Sequence, residues 1–128
     1  MDLNQVTVPV TDLDRAVAFY EVLGLKPIVL GTNDRYARFE CPGGSTFSLH
    51  VVEDIGESRD LVIYFENEDL DNEVARLKAE GIDFESGPED MPWGWREARL
   101  TDPDGNRLCL YWAGINRRFP PWRLKEGA

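Results

Sequence analysis

His50 is the single histidine of this 128-residue chain, and imidazole is the side chain most often used for general acid–base work. Glu97 and Arg99 stand two residues apart after Trp93-Gly94-Trp95. In an extended segment that spacing puts a carboxylate and a guanidinium on one face, able to orient or deprotonate a small oxygenated molecule. Tyr64, Cys109 and Tyr111 fall at alternating positions of two further apolar segments and add a phenol, a thiol and a second phenol. His50, Glu97 and Tyr64 are therefore the candidate catalytic groups. Gln5, Thr7, Ser48, Trp93, Trp95, Arg99, Cys109 and Tyr111 are the candidate ligand contacts. Plainer readings stand beside these: His50 as a hydrogen-bonded surface residue, and Glu97 with Arg99 as an edge-strand ion pair under a tryptophan lid.

Other chemistries find little support. There is no nucleophile elbow, no glycine-rich phosphate loop and no Cys-His pair at diagnostic spacing. Asp102, Asp104 and Asn106 resemble the start of a calcium loop, but Arg107 and Ala113 stand where such a loop needs Gly and Glu, which leaves a turn. Cys41 and Cys109 lack metal-motif spacing and read as free buried thiols. The formal net charge of −10 opposes nucleic acid or anionic membrane as a partner, since both repel an acidic protein at long range. No stretch has the apolar length of a transmembrane helix or a signal-peptide core, so a soluble cytoplasmic protein is expected.

The elements that must position these groups follow from hydrophobic period. Residues 3–10 alternate as a half-covered strand. Thr11, with Asp14 three residues on, has the pattern of a capping box, and Leu13, Ala16, Val17 and Tyr20 follow at helical spacing until Gly24. Residues 26–30, 36–40 and 46–51 read as strands. The polar stretch 53–60 reads as a connection. Then the pattern restarts: a strand over 61–66, a helix opened by Asp69-Leu70-Asp71 and closed by Gly81, a short strand over 82–85, a long loop over 86–95 whose tryptophans make a mobile cover, and a strand over 96–100. Asp102-Pro103-Asp104-Gly105-Asn106 is a hairpin turn in which Gly supplies the positive φ, and a last strand reaches Trp112.

The two halves superpose on their own residues. Leu13 answers Leu70, Val17 answers Val74, Gly24 answers Gly81, Pro42 answers Pro103, and Gly44 answers Gly105. This is a tandem βαβββ repeat. Each half covers one sheet face with its helix, and parity leaves Gln5, Thr7, Ser48, His50, Val62, Tyr64, Glu66, Cys109 and Tyr111 on the other. Two such sheets side by side would curve into a trough, a shape suited to small ligands. The expected fold is α+β: a single domain over 1–128 with module 1 at about 1–52, a linker at about 53–60, module 2 at about 61–115 and a C-terminal arm over 116–128.

The segments VTVPVTDLDRAVAFYEVLGL, FENEDLDNEVARLKAEGI and LTDPDGNRLCLYW resemble the vicinal oxygen chelate superfamily, the glyoxalase, bleomycin-resistance and extradiol-dioxygenase group. The resemblance implies this fold but no single reaction, since the superfamily hosts isomerases, lyases, transferases, dioxygenases and metal-free drug-binding proteins. Its metalloenzymes hold a divalent ion on the trough face from the first and last strand of each half. By the resemblance those positions here are Gln5, Ser48, Val62 and Cys109, a set in which Val62 carries no donor atom. The expectation is accordingly no metal ligand and no cofactor. The alternative is a Zn, Ni, Mn or Fe site rebuilt from Gln5, His50 and Glu66 or Glu97, serving a lyase, isomerase or dioxygenase.

The tail Asn116-Arg117-Arg118-Phe119-Pro120-Pro121-Trp122-Arg123 mixes arginines, aromatics and a diproline, which suits an arm laid over a partner subunit or the trough mouth. With the resemblance, it implies a homodimer. The expected function is binding of a small organic ligand in the trough without the four-ligand metal site; whether a reaction follows stays open. A drug-sequestering or scaffold module is the further alternative.

Overall fold

The alternation of valines near the start forms β1 (Gln5–Val10), and the helical spacing after it forms α1 (Leu13–Val22). β2 (Lys26–Leu30), β3 (Tyr36–Glu40) and β4 (Thr46–Val51) complete the first βαβββ set, and β5 (Val62–Glu66), α2 (Leu70–Ala79), β6 (Ser86–Asp90), β7 (Arg96–Thr101) and β8 (Arg107–Trp112) form the second. A short 3-10 turn spans Gly114–Asn116. This is a computed structural model that describes residues 1, 3–31, 33–56 and 60–125. The expected α+β class with two βαβββ modules is what it shows.

The chain divides into two compact units, Met1–Leu61 with Thr101–Asn106, and Val62–Leu100 with Arg107–Ala128. In the first unit the sheet order is β1-β4-β3-β2, with β1 parallel to β4 and the other pairs antiparallel. Val8, Val10, Ala37, Phe39, Phe47 and Leu49 are buried on the side that meets α1, together with Leu13, Ala16 and Tyr20. Tyr20 lies at the centre of this core, its ring centroid 4.8 Å from that of Phe47 and 6.0 Å from that of Phe39.

In the second unit the order is β5-β8-β7-β6, again with the first strand parallel to the last. Leu70, Val74 and Leu77 of α2 are buried, as are Ala98, Leu100, Leu108 and Leu110. The two helices end alike. Gly24 N–H donates to Glu21 O and Leu25 N–H to Tyr20 O; Gly81 N–H donates to Lys78 O and Ile82 N–H to Leu77 O. Both are Schellman closures, which need a left-handed residue and place Gly there, at φ 98° and 92°.

Three features differ from the sequence reading. Asp12, rather than Thr11, caps α1, its side chain accepting from Arg15 N–H at 3.1 Å. Thr11 instead donates its backbone N–H to Asp104 at 3.1 Å. The sixth strand is Ser86–Asp90, not 82–85, and it pairs antiparallel with β7 through a bulge between Ser86 and Glu89. The long loop thereby shrinks to Met91-Pro92-Trp93-Gly94-Trp95, closed by Met91 N–H to Trp95 O at 2.7 Å and Gly94 N–H to Met91 O at 3.0 Å. Cys41–Ser45 and Asp102–Asn106 close in the same way, so one Pro-x-Gly turn occurs three times.

Candidate functional site

The polar face of the first unit is built from β1, β3 and β4. Parallel pairing sets Gln5 opposite Thr46 and Thr7 opposite Ser48, and antiparallel pairing sets Arg38 opposite Ser48 and Tyr36 opposite His50. Gln5 Nε2 donates to Ser48 Oγ at 2.6 Å and to Thr7 Oγ1 at 3.3 Å, while Thr46 Oγ1 donates to Gln5 Oε1. Ser48, wholly buried, shares a 2.8 Å hydrogen bond with the Tyr36 hydroxyl, which accepts from Arg38 Nε at 2.9 Å. Gln5, Thr7 and Ser48 are thus joined in one network. His50 is exposed at its margin, and among the described residues its imidazole makes no hydrogen bond.

Tyr36 and Arg38 were not singled out from the sequence. The signal was available, because β3 alternates buried Ala37 and Phe39 with half-buried Tyr36, Arg38 and Glu40, and parity alone assigns those three to the polar face.

The second unit gathers Tyr64, Trp93, Trp95, Glu97, Arg99, Cys109 and Tyr111. Trp95 and Tyr111 stack with centroids 4.7 Å apart and planes 19° apart, and Tyr64 stands edge-on to both, at 6.0 Å from Trp95 and 5.7 Å from Tyr111. Offset-stacked and edge-to-face pairs of this kind are favourable because ring edges and faces carry opposite partial charge. Tyr64 keeps 47% of its surface exposed. The Arg99 guanidinium carbon lies 6.0 Å above its ring.

Glu97, 1% exposed, anchors this face. Its Oε2 accepts from Trp93 Nε1 at 2.7 Å, and its Oε1 accepts from Arg99 Nη2 at 2.9 Å and from Cys109 Sγ at 3.6 Å. A buried carboxylate needs such donors to offset its lost hydration. Burial works against the Arg99 charge, but hydrogen bonds to Glu97 and Tyr64 outweigh it and hold the guanidinium above its ordinary range. Glu66 accepts from the backbone N–H groups of Ala113 and Gly114, each at 3.3 Å. Burial, then the Glu66 charge, raises the Tyr111 phenol above its ordinary range.

At the end of this sheet a cleft of about 330 Å³ opens beside Trp95. Met91, Trp95 and Trp112 supply its apolar walls, with Asp90, Arg96 and Asn116 as polar groups. Arg96 is paired with Asp71 at 2.8 Å and, within the cleft lining, with Asp90 at 3.0 Å. Met91, Trp112 and Asn116 carried no sequence signal as site residues; the strand ends that bring them together became visible with β6 and the tight turn after it.

Burial, and secondarily the Glu97 charge, pushes the Cys109 thiol from its ordinary 9.0 up to about 12. A raised pKa stabilises the fold fully below the unfolded thiol's value and loses that stabilisation as pH rises toward the folded value. Wild-type stability is therefore expected to fall from about pH 9 upward. The Tyr20 phenol, raised chiefly by burial and then by Asp102, adds a further loss above its ordinary 10.0. Burial also raises the Cys41 thiol above its ordinary 9.0, so Cys109→Ser should lessen the slope between about pH 9 and 10 in urea titrations and leave the Cys41 share; an unchanged slope there would show that Cys109 does not contribute.

The four positions that the resemblance implies for a metal ion carry a donor set that does not suit one. Val62 offers no donor, the Cys109 thiol stays protonated at neutral pH, and the Gln5 amide and Ser48 hydroxyl are spent on each other and their neighbours. Among the described residues no three His, Cys, Asp or Glu side chains are grouped to hold a metal ion. No described helix is long and apolar enough to cross a membrane.

Two βαβββ units with this strand order and a polar face on each sheet define the class of protein. The profile of the Glyoxalase/Bleomycin resistance protein/Dioxygenase superfamily matches residues 2–110, and the chain belongs to that superfamily. Among solved structures it is similar to a superfamily member from Sphaerobacter thermophilus DSM 20745, at 28% identity over 88% of this chain and 97% of that one, with a TM-score of 0.73. TnmS3, an antibiotic binding protein from Streptomyces sp. CB03234, is 30% identical over 88% of this chain and 96% of that one, with a TM-score of 0.71. A glyoxalase/bleomycin resistance protein/dioxygenase from Nocardioides is 25% identical over 98% of this chain and 90% of that one, with a TM-score of 0.76.

Proposed function

We propose that this protein binds a small planar organic molecule against Trp95 in the second unit, and that it does so without a divalent ion at Gln5, Ser48, Val62 and Cys109. The observation that carries the reading is the position of Trp95, which stacks on Tyr111 and also lines the 330 Å³ cleft. A volume of that size accommodates a small ring system, and aromatic walls with a few fixed polar groups are what such ligands select. The half-exposed Tyr64, with Arg99 over its ring, offers a second stacking surface. Likeness to an antibiotic-binding protein supports a ligand of this kind.

The site reads as a binder because its carboxylate is enclosed. A general base must reach the proton it abstracts, whereas Glu97 is buried and three of its roughly four lone-pair positions already take donors from Trp93, Arg99 and Cys109. It holds the tryptophan and the guanidinium in place. A panel of planar aromatic compounds should include members that raise the melting temperature of the wild type by several degrees, through preferential binding to the folded state. Trp95→Ala should weaken those ligands by about 10- to 100-fold, as for a central aromatic anchor. Zn, Ni, Mn and Fe salts should leave the melting temperature unchanged. A stoichiometric metal in untreated protein, or a panel without effect on the wild type, would overturn the reading.

A further inference from the structure

The polar face of the first unit ends in hydrogen-bond donors that no acceptor among the described residues receives, and we infer that Arg38 and Tyr36 form a binding site for a carboxylate group. The argument begins by counting protons. Thr46 donates to Gln5, and Gln5 donates to Ser48 and Thr7. Ser48 and Tyr36 share one hydrogen bond yet carry two hydroxyl protons, so one proton is surplus. Ser48 is wholly buried, and a buried hydroxyl proton without an acceptor is costly. The favourable arrangement has Ser48 donating to Tyr36. Tyr36 oxygen then accepts from both Ser48 and Arg38 Nε, and its own proton points away from the network.

Arg38 adds the second half. Its Nε is fixed on Tyr36, and its guanidinium carbon lies 5.5 Å from the centroid of the Tyr36 ring. Among the described residues both terminal nitrogens are without hydrogen-bond partners, and no carboxylate lies within ion-pair distance of Arg38. Glu40, on the same face of β3, is turned to Lys26 at 3.6 Å. A half-buried guanidinium without a counter-charge is unusual in a chain of net charge −10, where acidic partners are in excess. Its two terminal nitrogens form the fork that matches a carboxylate in bidentate fashion. A monoanion is preferred to a phosphate dianion, which the negative net charge repels more strongly. This site lies in the first unit and does not depend on the aromatic cleft of the second.

Benzoate and benzamide, equal in shape and different in charge, provide the probe. In a two-dimensional nitrogen–proton spectrum of the arginine Nε groups, the Arg38 signal, assigned as the one absent from Arg38→Lys, should shift saturably with benzoate. Benzamide should bind roughly tenfold more weakly or less tightly still, reflecting the lost charge-assisted hydrogen bonds. Tyr36→Phe should retain the fold by circular dichroism and weaken benzoate severalfold. Trp95→Ala should leave the Arg38 response intact, which separates this site from the aromatic one. Equal responses to benzoate and benzamide, a response reproduced by chloride, or no saturable shift in the wild type would each overturn the inference. The wild-type titration decides even where a variant fails to fold.

Discussion

Asp102→Ala is expected to lower the unfolding free energy by about 3–5 kcal/mol, since several buried donors lose one shared acceptor. Asp102 is 4% exposed and sits in the turn Thr101–Asn106, which groups with the first unit. Its carboxylate accepts from Tyr20 Oη at 2.7 Å, Asp104 N–H at 2.9 Å, Asn106 N–H at 2.9 Å and Asn106 Nδ2 at 2.7 Å. Asn106 Nδ2 also donates to Pro9 O at 2.8 Å. Removing the carboxylate strands the Tyr20 hydroxyl in the core beneath β3 and β4 and deprives three N–H donors of an acceptor, and each unmet buried group costs about 1–3 kcal/mol. Tyr20→Phe removes one donor and leaves three, so about 1.5–3 kcal/mol is expected from the loss of a single bond to a charged acceptor. Urea denaturation measures both. If Asp102→Ala proved no more costly than Tyr20→Phe, the carboxylate would not be the centre of this network.

The same turn shows what patterns reveal and where they stop. Its Asp-Pro-x-Gly composition specified a positive-φ hairpin, and Gly105 has φ 84°. Nothing in the composition specified that the carboxylates would face Tyr20 and Thr11, 82 and 93 residues away, because a period reports which face a side chain occupies and not what it meets. Asp104 takes Thr11 for this reason, which leaves Asp12 to cap α1.

Repetition carried most of the fold. Paired glycines at the helix ends and paired Pro-x-Gly turns recur because the same backbone solution is needed twice. β6 was hidden for a physical reason. Ser-Gly-Pro-Glu-Asp holds no β-branched or aromatic residue, and it forms a strand because it sits at the sheet edge, where Pro is tolerated and a bulge absorbs the irregularity. The candidate site divides in a similar way. Residues on the first and last strands of each half were reached through parity, whereas Tyr36 and Arg38, on a middle strand with the same alternation, were passed over. The Trp93–Glu97 bond needed the tight turn, since a long loop does not return an indole to a carboxylate four residues on.

Gly87→Ala should be the other severe substitution, costing about 4 kcal/mol from the sum of left-handed backbone strain and overpacking. Gly87 has φ +85°, and a Cβ there would lie 2.2 Å from Glu97 O and 2.7 Å from Ala98 Cα. Those neighbours are backbone atoms of β7, so neither can swing aside. Gly81 is the control, since it has φ +92° and nothing within 4 Å of an added Cβ. Gly81→Ala therefore carries the conformational cost alone, about 1–2 kcal/mol. The difference between the two variants isolates the contact between β6 and β7. That contact matters to the site because the residue it presses against is Glu97, whose side chain holds Trp93, Arg99 and Cys109. Forcing β6 away from β7 shifts the peptide that sets the carboxylate, so Gly87→Ala should weaken any ligand of Trp95 while Gly81→Ala leaves it unchanged. Equal stability loss in the two variants, measured by urea denaturation, would mean that β6 can retreat from β7 at no cost and that the edge strand does not position Glu97.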